Sequence, residues 1–191
     1  MHGQGFKKVG NMLRRTGIMV AAAFIMAAGA VPVAATSAAA APAPYCGITW
    51  GSLQKTGNTP ALPQLTNIRA GRHDCYDRLV FDTRGQNVAG YWVRYVNTMT
   101  DASGQVVPLR GGAKLSITIQ ALAHDDAGQP TYQYTNRAEL VNVSGYRTFR
   151  QVAWANSFEG LISAGLGVRA RLPFRAFTLP DHLVVDVAHA W

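Results

Sequence analysis

Residues 114–121 constrain this chain more than any other stretch. Leu115, Ile117, Ile119 and Ala121 alternate with Ser116, Thr118 and Gln120. A repeat of two puts the apolar set on one face of a strand and the polar set on the other. Other segments carry the same signal. Tyr91–Val96 is β-branched and aromatic, the composition of a half-buried strand. Leu79-Val80-Phe81 and Leu183-Val184-Val185 are short apolar runs, each followed by an acid, Asp82 and Asp186. Such runs suit central strands covered on both faces. Residues 168–172 alternate again, with Arg169 and Arg171 on one side, and Phe174–Leu179 reads as a further strand after Pro173. Turn-forming clusters separate the runs, among them Thr83-Arg84-Gly85, Asp101-Ala102-Ser103-Gly104 and Asp125-Asp126-Ala127-Gly128. The fold class expected is all-β: a two-sheet β-sandwich with at most one short helix. Residues 149–164 leave two options open, a short helix or a strand with a bulge near Gly160. An α+β fold with one helix is the alternative architecture.

The first 40 residues read as an export signal whose helix lies outside the fold. Lys7, Lys8, Arg14 and Arg15 form a basic start without acids, residues 17–33 are apolar, and small residues follow, with cleavage expected after Ala40. The apolar run falls short of the ~20 residues that span a bilayer, so no stable membrane span is expected once the signal is removed. Arg14-Arg15 suggests twin-arginine export, but Gly17 stands where a bulky apolar residue is wanted, so general secretion is the expectation. Residues 41–64 read as a linker and disulfide-tied segment, and 65–191 as the sandwich. A secreted or cell-envelope location follows.

Charge narrows the partners. The chain carries 18 Lys and Arg against 10 Asp and Glu, a net charge of +8. Without the four basic residues of the signal the balance is about +4 (18 − 4 − 10). A modestly basic exported protein is a poor nucleic-acid binder. Cell-wall polymers bearing carboxylates or phosphates suit it better. The two cysteines, Cys46 and Cys75, are expected to pair outside the cell and to tie residues 46–64 onto the domain.

Few residues suggest catalysis. His73, Asp74, His124, Asp125, Asp126, His182 and His189 show no metal-ligand spacing, so neither metal nor cofactor is expected. There is no Gly-x-Ser-x-Gly, and paired cysteines leave no thiol nucleophile. Glu159, between Phe158 and Gly160, is a candidate half-buried acid for a glycosidase, without an identifiable partner. The Gly71-to-Arg78 cluster reads chiefly as a pinned loop with local ion pairs, Arg78 being placed to meet a carboxylate such as Asp186. A binding face is better supported: Trp92, Arg94, Arg169, Arg171 and Arg175 occupy strand positions turned from the expected core. Aromatic rings stack on sugars, and guanidinium groups grip carboxylates.

Longer motifs add a resemblance. Gly71-Arg72-His73-Asp74-Cys75-Tyr76-Asp77-Arg78-Leu79-Val80-Phe81-Asp82 and Gly90-Tyr91-Trp92-Val93-Arg94-Tyr95-Val96 resemble the AMIN-like domain of secreted actinobacterial proteins. So do Tyr146-Arg147-Thr148-Phe149-Arg150, Ser157-Phe158-Glu159-Gly160, the run from Gly165 to Arg175, and Leu183-Val184-Val185-Asp186-Val187-Ala188-His189. The resemblance covers about residues 46–191. It implies a β-sandwich module related to AMIN, which targets cell-wall amidases to the envelope and is associated with peptidoglycan binding. No amidase pattern is read in these residues, so a binding module without that enzyme is the expectation. The function expected is a secreted noncatalytic module binding peptidoglycan or an associated anionic wall glycan. A wall-processing enzyme using Glu159 and a secreted protein-interaction domain are the alternatives.

Overall fold

The computed structural model describes residues 44–58, 60–88 and 90–191. The expected export signal lies outside the described residues.

Among the described residues, nine strands form two antiparallel sheets that face each other as a sandwich. In chain order they are β1 (Lys55–Gly57), β2 (Gln64–Arg72), β3 (Tyr76–Arg84), β4 (Tyr91–Val96), β5 (Ala113–Gln120), β6 (Phe149–Phe158), β7 (Leu161–Val168), β8 (Phe174–Leu179) and β9 (His182–Ala188). One sheet has the order β1-β4-β5-β7-β6, the other β2-β3-β9-β8. The alternating stretch is β5, and its odd residues Leu115, Ile117 and Ile119 line the core as expected. The two continuous apolar runs are β3 and β9, the central pair of the four-stranded sheet. Their odd residues, Leu79, Phe81, Leu183 and Val185, join the core, while Val80 and Val184 are buried on the opposite face.

Residues 149–164 form no helix. They are β6 and β7, joined by a turn at Glu159 and Gly160 with φ of +50° and +74°. Two left-handed residues in succession match the twist of a tight hairpin. Of residues 168–172, expected as a strand, Val168 ends β7 and the rest instead link the two sheets. Leu172 N donates to Ala170 O, and Pro173 has no donor with which to continue a ladder. Residues 44–57 are more than a tether, because Lys55–Gly57 adds β1 to the edge of the five-stranded sheet.

The outer face of the five-stranded sheet is half covered. Gly165 and Gly167 share that face of β7, and the chain crosses them closely. A Cβ at Gly165 would lie 2.6 Å from Leu109 Cδ1, and one at Gly167 only 2.0 Å from Arg110 O. Two glycines at a spacing of two therefore cut a trough that the crossing chain fills. The β4–β5 half stays open, which leaves Trp92 and Arg94 in solvent.

Candidate functional site on the outer face of the four-stranded sheet

Register builds this site. Arg78 of β3 pairs with Asp186 of β9, and Asp186 pairs with Arg175 of β8. Directly paired residues of antiparallel strands point to the same side. The three therefore stand in one row on the outer face, with Gly71 of β2 completing the row without a side chain.

The Asp186 carboxylate is fully buried beneath the two arginines. Its Oδ1 accepts from Arg78 Nε at 2.7 Å; its Oδ2 accepts from Arg78 Nη2 at 2.9 Å and Arg175 Nε at 2.7 Å. Charge-assisted bonds of this kind are short and strong. The bond to Asp186 raises the Arg78 pKa above the ordinary arginine value, so this group stays cationic. Two guanidinium groups share one carboxylate, and the row carries a net charge of +1. Both arginines keep part of their surface in water, 24% and 30% of the side chain. Among the described residues, Arg175 Nη1 and Nη2 and Arg78 Nη1 have no hydrogen-bond acceptor. These N–H groups can take an anion from solvent.

Aromatic rings wall the row. The Arg175 guanidinium carbon lies 5.5 Å from the Trp50 ring centre, 5.4 Å from Tyr76 and 5.0 Å from Phe177. That of Arg78 lies 5.3 Å from Tyr76 and 5.7 Å from Phe177. These distances fall within cation–π range. Trp50 reaches the row because of the disulfide between Cys46 and Cys75. Cys75 immediately precedes Tyr76, so the bridge anchors residues 44–50 beside the start of β3. Trp50 Nε1 then donates to Tyr45 O at 2.8 Å, and Gly51 O accepts from Phe174 N at 2.8 Å.

The five residues expected on one binding face are dispersed. Arg175 is in the row just described. Trp92 and Arg94 share a face, as parity within one strand requires, but it is the outer face of the opposite sheet. With Gln54, Ser116 and Thr118 they line a shallow depression of about 260 Å³. Arg169 and Arg171 sit in the link between sheets. Arg169 N donates to Thr148 O, its guanidinium to His189 O, and Arg171 lies over the Tyr95 ring at 4.7 Å. Trp50, Tyr76 and Phe177 are not among the residues the sequence singles out, and the Arg78–Asp186 pair, expected as structural, is also the base of the site. The signal that could have found Tyr76 and Phe177 was parity with Arg78 and Arg175, each being two residues away on the same strand.

Glu159 is exposed at the tip of the β6–β7 turn, with a positive φ, and not half-buried as expected of a catalytic acid. Among the described residues no three His, Cys, Asp or Glu side chains cluster to hold a metal. The Gly71-to-Arg78 loop is pinned by the disulfide and by His189, whose Nδ1 lies 3.1 Å from Asp74 O and whose Nε2 lies 3.1 Å from Asp77 Oδ1.

The AMIN-like domain model matches residues 63–189, from just before β2 to just past β9. The chain belongs to the AMIN-like family. AMIN-like domains are cell-wall-associated modules of the binding and targeting kind. No curated protein and no solved structure matches the chain. The AMIN-like match takes in Arg78, Arg175 and Asp186. It leaves out Cys46, Trp50 and β1, so one wall of the site comes from outside the matched residues.

Proposed function

We propose that this protein is an exported, noncatalytic envelope module that binds peptidoglycan or an associated anionic wall glycan. One observation carries the reading: two arginines locked on a buried aspartate, with N–H groups left over, among three aromatic rings. Orientation is set before any ligand arrives, which lowers the ordering cost of binding. The free fork of Arg175 suits a carboxylate, and Trp50 and Phe177 offer ring surface beside it on which a sugar can pack, Tyr76 being already stacked against His73. The export signal, the disulfide and the membership of a wall-associated family support the compartment. Trp92 and Arg94 offer a second stacking face, without a locked arginine.

Sedimentation with purified cell walls tests this. The wild-type protein is expected in the wall pellet at low salt, with retention falling as salt rises, because exposed charges are screened. Arg175→Ala should lower wall affinity roughly tenfold, the scale of one charge-assisted hydrogen bond, while Asp186 keeps its partner Arg78. Retention of Arg175→Ala equal to wild type, or no wild-type retention at all, would sink the proposal.

A further inference from the structure

The outer face of the four-stranded sheet repeats its polar construction one step further along the strands. Asn67, Asp82, His182 and Leu179 are paired across β2, β3, β9 and β8 in a second row. Asp82, unlike Asp186, is a carboxylate gripped from one side, by two donors of β2. Its Oδ2 accepts from Arg69 Nε at 2.8 Å and its Oδ1 from Arg69 Nη2 at 3.1 Å; Asn67 Nδ2 donates to Oδ2 at 3.3 Å. His182 Nδ1 lies 2.9 Å from Asp82 Oδ1 but out of line for a hydrogen bond, and it is a buried polar atom without a partner among the described residues.

Between the rows runs a third, Arg69, Val80, Val184 and Phe177, in which Phe177 is the half-buried aromatic. Arg78 to Asp82 and His182 to Asp186 are each four residues, so the polar rows stand about 13 Å apart at the ordinary strand rise. The first row has a net positive charge. In the second, Arg69 balances Asp82, which leaves amide, imidazole and guanidinium N–H groups rather than an excess cation. One anion-binding pole, an apolar and aromatic stripe and one neutral polar pole thus lie in line along β3 and β9. A single hexose ring is too short to reach both poles.

We infer that the ligand is a linear acidic glycan of two or more linked rings, lying parallel to the strands. Its anionic group sits at Arg78 and Arg175, a ring packs on Phe177, and the next ring meets Asn67, Arg69 and His182. This rests on the proposed function and specifies the length and direction of what the site holds.

Calorimetric titration of the full protein tests it, with N-acetylmuramic acid as the one-ring probe and the tetrasaccharide alternating N-acetylglucosamine with N-acetylmuramic acid as the long probe. The tetrasaccharide is expected to bind at least tenfold tighter. Asn67→Ala and His182→Ala should remove most of that gain and leave the one-ring affinity within twofold. Arg69→Gln, at a side chain 53% exposed, should act in the same direction while also leaving Asp82 without its cation. Arg175→Ala should weaken both probes. Equal affinity for the two probes, or a gain that survives all three second-row variants, overturns the two-pole site and leaves the arginine row standing. An acidic peptide that shows the second-row dependence when the tetrasaccharide does not also overturns it. If Arg175→Ala changes neither affinity, the proposed function fails, and this inference with it.

Discussion

Asp77 and Asp186 are both completely buried, and they lie on adjacent, paired strands, yet they do opposite work. Asp77 points into the sandwich. Its Oδ2 accepts from Thr148 N at 2.5 Å and Phe149 N at 3.1 Å, and its Oδ1 meets His189 Nε2 at 3.1 Å. Every partner is itself buried, so the arrangement ends in the protein. It clasps the start of β6, in one sheet, to β3 and β9 of the other. Asp186 points outward, and its partners are arginines with surface to spare. A buried carboxylate bonded to backbone and histidine makes a clasp; one bonded to half-exposed guanidinium groups makes a mount for cations that face solvent. Desolvation costs the fold in both cases. Only the second leaves donors for a ligand.

The contrast breaks if the two aspartates respond alike to substitution. Asp77→Ala should be the more destabilising, by about 3–5 kcal/mol, because two buried N–H groups and His189 lose their acceptor together. Chemical denaturation measures this. The fraction that remains folded should bind walls normally. Loss of the disulfide comes next. Replacing Cys46 and Cys75 by serine opens a loop with a sequence separation of 29, worth about 3–4 kcal/mol in the chain-entropy model. Unlike the Asp77 variant, this one should also weaken wall binding per folded molecule, since Trp50 loses its anchor. Unchanged wall affinity in the double serine variant would show that Trp50 is not a wall of the site.

Asp186→Ala should cost somewhat less, about 3 kcal/mol, because its arginines are partly solvated already and are not left as fully buried charges. Its mark is functional. Without the carboxylate the two guanidinium groups repel and lose their alignment, so wall binding should fall by more than the stability loss explains. If Asp186→Ala binds as wild type when corrected for the folded fraction, the mount is only another clasp.

Parity within a strand was legible from residues alone, and it carried most of the fold. It set β4, β5 and β8 to within a residue and paired Trp92 with Arg94. It also pointed Arg78 toward Asp186, because each adjoins an apolar run that had to be central. What parity cannot say is which sheet a strand joins. Arg175 and Trp92 both face outward, but on opposite outsides, and they looked like neighbours only while the sheet order was unknown. Residues 168–172 misled for a related reason. Their alternation is real, but it belongs to a link where Arg169 and Arg171 bond to the chain's own carbonyl and ring. Trp50 was out of reach altogether. It precedes β1 in sequence, and two long-range links, the bridge to Cys75 and the Gly51–Phe174 hydrogen bond, bring it to β8.

The smallest effect expected separates interior from surface by pH. Tyr95 donates its hydroxyl to Leu172 O at 2.6 Å, and burial pushes its pKa up to about 12. Burial does the same to Tyr132, packed against Trp154 with ring centres 5.6 Å apart. An unfolded tyrosine ionises near 10. The sign is therefore set: the folded state holds these two protons more tightly, the stability this contributes is complete below pH 10, and it drains away as pH rises from 10 to 12. Over the same interval Arg78 keeps its charge, since its hydrogen bond to Asp186 raises a pKa that already lies above this range. Phenolate absorbance should then show Tyr95 and Tyr132 titrating near pH 12, with buried Tyr91 also above the ordinary value, and denaturation midpoints declining above pH 10. Wall affinity of the protein still folded should stay level between pH 9 and about 11. A fall in affinity that runs ahead of the tyrosine titration would mean that the outer row depends on the same interior groups, and the division between clasp and mount would be lost.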